Sequence, residues 1–343
     1  MQRITILTLP GAMAGPVMGT MDVFSQAGLG WNYIFGLNPE PHFDVKIASM
    51  DGKPVTCFNG LKIIPHLDAH DIEATDLIIV SSFMDISKIL ASAKEPVAWL
   101  KKHYRGGATI ASICVGAFLL AETGLLDGKS ATTHWGYVRE FQKRYPRVRL
   151  KPEQTITDEG NLLCSGAWNS YLDLSLYLVE RYCGRQTALE CAKTIIHDLD
   201  RRSQAPYSVH RFNHDHHDAQ ILAAQELIEK NYAQTIDLRD VASSCAMSRR
   251  TFERRFKTAV GVTPLLYLQR IRIETAKSLL ENTNHTFDEI SFQVGYDNTS
   301  FFRKLFTKHT GLGPKEYQKK FKLADTGPAK GARREQHVSE NRI

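Results

Sequence analysis

The most constraining feature of this chain is a stretch that resembles itself. VASSCAMSRRTFERRFKTAVGVTPLLYL, beginning at Val241, is followed by ISFQVGYDNTSFFRKLFTKHTGLGPKEYQ, beginning at Ile290. Phe252 and Phe302, Phe256 and Phe306, Gly261 and Gly311, Pro264 and Pro314, and Tyr267 and Tyr317 match at an offset of 50. Val241 and Ile290 match at 49, so the second copy has one more residue in its turn. Identities at aromatic, glycine and proline positions restrict the segment to two similar supersecondary units. An all-helical bundle with a solvated basic surface would explain the phenylalanines but not the duplicated turn and Gly-x-x-Pro pattern.

Each copy has the physics of a helix-turn-helix. A short helix, residues 238–244 or 288–294, ends in a tight turn with a small residue, Cys245-Ala246-Met247 or Gly295-Tyr296. Ser248, and Asp297 or Asn298, are capping residues for a second helix that buries Phe252 and Phe256, or Phe302 and Phe306, one turn apart. Its other face carries Arg249, Arg250, Glu253 and Arg254 in the first copy, and Thr299, Ser300, Arg303 and Lys304 in the second. Such a face suits base edges and phosphates. Between the copies, residues 264–282 read as one helix with proline in its first turn. At 1.5 Å per residue it spans about 28 Å, close to the roughly 34 Å of one DNA turn. The charge agrees: residues 218–322 hold 17 Lys+Arg against 12 Asp+Glu, whereas residues 1–217 hold 22 of each.

On these motifs, RRTFERRFKTAVGVTPLLYLQRIRIETAKSLL and GYDNTSFFRKLFTKHTGLGPKEY, the segment resembles the DNA-binding domain of the AraC/XylS family over about 100 residues. The resemblance implies two helix-turn-helix units on double-stranded DNA, usually in an activator that meets RNA polymerase. It implies base-facing roles for Arg250, Glu253 and Arg254, and for Thr299, Ser300, Arg303 and Lys304. Ser291 departs from that family's pattern, which favours alanine there.

Residues 1–165 alternate apolar runs (ITILTL, FDVKIAS, TDLIIVSS, ATIASI) with helical patterns at 97–104, 115–123 and 135–145. That alternation predicts a layered α/β domain with a mainly parallel sheet. ITDEGNLLCSG predicts a hairpin, and two helices follow, one over 169–182 and one carrying Ala188, Cys191, Ala192, Ile195, Ile196 and Leu199. The expected organisation is an α/β sensor domain over 1–200, a polar linker over 201–217, an all-α double helix-turn-helix domain over 218–323 and a disordered tail over 324–343. The N-terminal MQRITILTLPGAMAGPVMG has some signal-peptide character, but Pro10, Gly11 and the threonines favour a strand followed by a loop. No apolar run is long enough to cross a membrane.

In SICVGAFLLAETG a strand runs into Cys114 and then into a helix, the way a nucleophile is presented on a sharp turn. SICVGAFLLAETGLLDGKSATTHW resembles the cysteine elbow of the ThiJ/PfpI group within the class I glutamine amidotransferase-like fold. With the C-terminal match, the chain resembles the GlxA-type subgroup of AraC regulators. Two catalytic parts implied by that group are missing: the residue after the cysteine is Val115, not histidine, and residues 11–21 contain no Asp or Glu. His134 is the remaining base.

Three readings of Cys114 stay open: an enzyme nucleophile, a packed thiol, and part of a ligand pocket at the carboxyl ends of parallel strands. The pocket is favoured, with Cys114, Val115, His134 and Trp135 as its candidate residues, while Trp135 and Trp168 also suit aromatic core packing. The expectation is therefore a non-enzymatic, cytoplasmic regulator responsive to a small-molecule effector, with no cofactor, and by resemblance a homodimer through its N-terminal domain. The six cysteines have no paired spacing, and His210, His214, His216 and His217 have no companion cysteine or carboxylate pattern to fix a metal geometry.

Overall fold

The computed structural model describes residues 1–199, 203–210 and 212–322, and the chain divides into two compact units, Met1–Val209 and His210–Ile343. The tail expected over 324–343, and residues 201, 202 and 211 of the expected linker, lie outside the described residues.

The first unit runs β1 (Gln2–Leu7), α1 (Ala14–Gln26), α2 (Gly30–Ile34), β2 (Phe43–Ser49), β3 (Val55–Thr56), β4 (Lys62–Ile63), β5 (Leu67–Asp68) and β6 (Leu77–Val80). It continues through α3 (Ile86–Ala91), α4 (Lys94–Arg105), β7 (Thr109–Ile113), α5 (Gly116–Glu122), β8 (Ser130–Ala131) and α6 (Val138–Arg144). β9 (Arg149–Leu150), β10 (Ile156–Asp158), β11 (Leu162–Ser165), α7 (Tyr171–Cys183) and α8 (Arg185–Thr194) complete it. Seven strands form one sheet in the order β10-β11-β7-β6-β1-β2-β5. Every neighbour in it is parallel except the β10–β11 hairpin. Ile6, Leu7, Ile78, Ile79, Ile110 and Ala111 are fully buried, because helices cover both faces of a parallel sheet and leave no polar side.

The sequence expectation departs from the structure in two places. Residues 11–21, read as a loop, enter α1 at Ala14; Pro16 lies in its first turn, where no intrahelical N–H is needed. Gly19 lets α1 approach α7, since a Cβ there would overlap the Tyr171 ring. The helix expected to reach Leu199 stops at Thr194. Ile196 takes φ 54°, His197 N–H donates to Ala192 O and Ile196 N–H to Lys193 O, closing a Schellman motif with isoleucine where glycine is usual. Ile196 is consequently 95% exposed and Leu199 44%. Among the described residues of the expected linker, individual side chains make specific bonds. Gln204 is buried with its amide on Thr132 and Thr133, while past the boundary Asn213 donates to Ala259 O and Phe212 packs on a helical core.

The second unit is α9 (Ala219–Asn231), α10 (Leu238–Ser244), α11 (Arg249–Val260), α12 (Pro264–Asn282), α13 (Phe287–Gln293), α14 (Thr299–Thr310) and α15 (Pro314–Phe321). It has two cores, and α12 belongs to both. Tyr267, Leu268 and Ile271 enter the first, with Phe252 and Phe256; Ile273, Ala276 and Leu280 enter the second, with Phe302 and Phe306. At roughly 100° per residue the two sets lie on nearly opposite sides of α12.

The repeat is also deeper than the aromatic matches. Ile221, Ala224, Ile228 and Glu229 of α9 correspond to Ile273, Ala276, Leu280 and Glu281 of α12 at an offset of 52. The Tyr267 phenol accordingly donates to Glu229 in the first bundle, and the Tyr317 phenol to Glu281 at 2.5 Å in the second. Helix α12 closes one bundle and opens the next.

Both helix-turn-helix turns are Schellman motifs. Met247 N–H donates to Ala242 O and Tyr296 N–H to Ser291 O, with Ala246 at φ 53° and Gly295 at φ 87° in the left-handed position. Alanine there carries a left-handed penalty of about 1–2 kcal/mol that glycine avoids. The exposed Ala246→Gly should therefore stabilise the second unit by up to about 1 kcal/mol, read as a higher midpoint in thermal unfolding. An unchanged or lower midpoint would show that unfolded-chain entropy outweighs the relieved strain.

Candidate functional site

Two surfaces bring together chemistry-bearing residues. On the second unit, α11 and α14 are built alike. Ser248 accepts from Thr251 N–H at 3.3 Å and Asn298 from Phe301 N–H at 2.9 Å, so each helix starts at a side-chain cap. Of the two residues considered for the second cap, Asn298 fills it. Gly261 (φ 90°) and Gly311 (φ 71°) stop the two helices in the left-handed conformation.

Opposite the buried phenylalanines, Arg249, Arg250 and Arg254 are exposed on α11, as are Ser300, Arg303 and Lys304 on α14; Glu253 and Thr299 are half-buried. Arg249 Nε lies 2.9 Å from Glu253, an i,i+4 pair that orients the arginine along the helix. Arg303 sits 3.4 Å from Asp288 with its guanidinium 5.0 Å from the centroid of the Phe287 ring. The neighbouring Arg255 faces inward: it clamps Asp218, the N-cap of α9, with bonds of 2.7 and 3.0 Å. One position along a helix turns the side chain by about 100°, which separates Arg254 from Arg255. Ser291, the departure noted above, is buried and its hydroxyl donates to Tyr296 O at 3.0 Å, so the extra oxygen is satisfied.

On the first unit, β7 ends at Ile113 and Cys114 turns the chain into α5 with φ 58°. The turn is held on three sides. Cys114 N–H donates to Ser165 O at 2.9 Å, Thr133 Oγ1 donates to Cys114 O at 2.9 Å, and Gly116 is so close to β6 that an added Cβ would lie 2.7 Å from Val80 O.

The geometry is that of a nucleophile elbow, but the electrostatics are not. Cys114 and Val115 are 5% and 2% exposed, and burial pushes the Cys114 thiol up to about 11 against the opposing pull of Ser82 and the Val115 N–H. His134 caps a 3-10 turn by accepting from Gly136 N–H at Nδ1, 3.0 Å, so its neutral ring has Nε2 as a donor and no free basic nitrogen. Burial lowers its proton affinity further. Thr133, not the histidine, supplies the bond to Cys114. The nearest acidic residue past the expected loop, Asp22, is exposed on α1.

Trp135 stacks on His134 with centroids 5.0 Å apart, half-buried, whereas Trp168 is 51% exposed, outside the core packing considered for it. The four histidines at 210–217 disperse: His214 pairs Glu229 at 3.0 Å, His216 meets Gln225 at 2.7 Å, and the His210 ring is pushed down to about 4 by burial, with Arg270, Lys277 and His309 adding to the effect. His216 and His217 also line a cavity of about 740 Å³ with Arg254 and Thr258. No metal-holding group of three His, Cys, Asp or Glu occurs among the described residues, and no helix among them is long and apolar enough to cross a membrane.

Residues 2–181, just over half of the chain, match the DJ-1/PfpI family. The chain belongs to the DJ-1/PfpI family. Behind that DJ-1/PfpI domain, residues 241–320 match a helix-turn-helix domain, the AraC-type arrangement implied by the repeat. The chain is 28% identical over 271 residues to the HTH-type transcriptional regulator GbdR of Pseudomonas aeruginosa, covering 78% of this chain and 72% of that one. It is 25% identical over 226 residues to the HTH-type transcriptional regulator GlxA of Rhizobium meliloti, covering 62% and 69%. It is also 27% identical over 149 residues to the isonitrile hydratase of Pseudomonas putida, covering 43% and 63%. The relatives thus include both regulators and an enzyme.

A thiol pushed up to about 11 is almost wholly protonated at neutral pH. Iodoacetamide should therefore label Cys114 slowly at pH 7.5, about 100-fold below an unhindered thiol, and about tenfold faster per pH unit up to pH 10. Peptide mass spectrometry after timed labelling reads this directly. Rapid labelling at pH 6 would reveal an activated thiolate instead.

Proposed function

We propose that the chain is a DNA-binding transcription regulator whose DJ-1/PfpI domain senses a small molecule without catalysis. The observation that carries the reading is the duplicated pair of capped helices, each with an aromatic face in its own core and an exposed polar face, bearing Arg249, Arg250 and Arg254 on one and Ser300, Arg303 and Lys304 on the other. Arg249, Arg250, Glu253 and Arg254 on α11, and Thr299, Ser300, Arg303 and Lys304 on α14, are the proposed contacts with double-stranded DNA. Arginine presents a fork suited to guanine, while Thr299 and Ser300 suit either base edges or phosphates. The regulators GbdR and GlxA, matched over most of this chain, support the same reading.

The proposed effector site lies at the carboxyl ends of β6 and β7, about Cys114, His134 and Trp135, because ligands of parallel sheets gather where the strands end. Val115 takes part through its N–H only, its side chain being in the core. Buried thiol, capped imidazole and an acid-free 11–21 stretch argue against an oxyanion mechanism there. A route outward exists within the same unit: Thr133 bonds Cys114, and Gln204, at the start of the segment leading to the second unit, bonds Thr133 O at 2.9 Å. A ligand that moves Thr133 alters that segment, and a population shift of the reading domain follows. The proposed assembly is a cytoplasmic homodimer through the N-terminal unit, recruiting RNA polymerase.

The test is selection of bound sequences from a random duplex library with the full chain, followed by binding measurements. Arg254→Ala should weaken the selected site by about 1–3 kcal/mol and relax the base preference at one position. Equal loss on selected and random duplexes would reduce Arg254 to a phosphate contact. Affinity should fall steeply with salt. A screen of metabolites by thermal shift tests the sensor, since a ligand of the native state raises its melting temperature. Amide or isonitrile turnover abolished by Cys114→Ala would replace this reading with an enzymatic one.

A further inference from the structure

Helix α12 must hold two reading helices at a fixed separation, and a stiff helix alone leaves the two bundles free to twist and bend about it unless something braces them. The side chain placed to do so is Arg272. On the helical wheel it falls between the face that Tyr267 and Ile271 present to the first core and the opposite face that Ile273 and Ala276 present to the second.

Arg272 is 8% exposed, and its bonds run in both directions. Nε donates to Tyr232 O and Nη2 to Gln234 O, both at 2.8 Å, so the guanidinium caps the C-terminal end of α9 in the first bundle. Its face lies 4.7 Å from the centroid of the Tyr296 ring, which belongs to the turn of the second helix-turn-helix and stacks on Phe302. Beside it, Gly295 backs directly onto the first bundle: a Cβ there would lie 2.7 Å from Ala233 O and 2.9 Å from Arg272 Nη2. The turn that launches α14 therefore rests against the loop that follows α9.

The repeat separates the two jobs of this arginine. Fifty residues on, Lys322 reaches back to Asn284 as Arg272 reaches back to Gln234, so the bond to the preceding loop is common to both bundles. The stacking on Tyr296 and the seat under Gly295 add a contact to the following bundle.

We propose that Arg272 is a positioning residue that fixes the spacing at which α11 and α14 read DNA, by locking the second helix-turn-helix turn onto the end of α9. The proposal rests on the reading of α11 and α14 as DNA-contacting helices. A rigid brace concentrates affinity in one spacing, because two linked elements gain from each other only when the linkage spans both sites without strain.

The experiment uses the full chain and its selected duplex, together with duplexes holding one element alone and duplexes with one or two base pairs inserted between elements. The unaltered protein should lose about tenfold or more in affinity for each inserted base pair. Arg272→Gln should flatten that penalty to about threefold or less while single-element affinity stays within about twofold. Tyr296→Leu, which removes the stacking partner and leaves the α9 cap in place, should flatten it likewise. This second variant carries the test if Arg272→Gln lowers the helical circular dichroism.

An unchanged spacing penalty in Tyr296→Leu, or in a folded Arg272→Gln, overturns the proposal. So does an equal loss on single and double elements, the mark of general destabilisation. If the unaltered protein selects no sequence at all, the DNA-reading function itself falls, an outcome distinct from a variant that keeps the spacing preference.

Discussion

A helix shared by two hydrophobic cores is the constraint around which the C-terminal half is organised. Because α12 buries Tyr267, Leu268 and Ile271 on one side and Ile273, Ala276 and Leu280 on the other, little of its middle is left for water. Each bundle is small, with one helix-turn-helix and few large side chains, and neither buries enough surface to be robust by itself. Sharing α12 gives each bundle a wall it does not have to build separately. It also makes the relative placement of α11 and α14 a property of one rod and its braces. The tyrosine–glutamate bonds at Tyr267 and Tyr317 repeat because α9 stands to the first bundle as α12 stands to the second.

The elbow at Cys114 illustrates how geometry and reactivity separate. A residue with φ 58° is strained, and the surrounding bonds from Thr133 and to Ser165, with Gly116 pressed on β6, are what hold it there. Those same contacts enclose the sulfur. Two donors near it favour the thiolate, yet the loss of water outweighs them and the thiol stays protonated. The histidine of the TTH segment turns its acceptor nitrogen onto its own backbone as a cap. The turn thus has the shape of an elbow around a protonated, enclosed sulfur.

Much of this was legible in the sequence, and the rest was hidden for identifiable reasons. The aromatic, glycine and proline matches at 50 exposed the repeat because those residues have few structural substitutes. The matches at 52 between α9 and α12 escaped notice because they are ordinary aliphatic residues, and because α12 mixes two apolar stripes into one unreadable pattern. Helix α1 was concealed by Gly15, Pro16 and Gly19, whose roles are a first-turn proline and a close approach to Tyr171. The end of α8 was concealed by Ile196, a side chain that ordinarily avoids the left-handed conformation it adopts. The site residues divide likewise: Arg249, Arg250 and Arg254 were visible by period, whereas Arg255, Gln204 and Arg272 make bonds to backbone or to distant side chains that no local pattern encodes.

Local chemistry determined by itself that the chain has a parallel α/β half and a duplicated helical half, since strand alternation, caps, turn glycines and helix-start prolines act over a few residues. It also determined that Cys114 sits on a strand-to-helix turn, followed by Val115 and without an acidic residue over 11–21. Only the tertiary structure decided that this thiol is buried and unactivated, that His134 spends its acceptor nitrogen on a cap, and that Arg272 joins one bundle to the next. The cap on His134 is local, from Gly136, but the neighbours of Cys114 and Arg272 are brought by the fold: Thr133 is 19 residues from Cys114, and Tyr232 is 40 from Arg272.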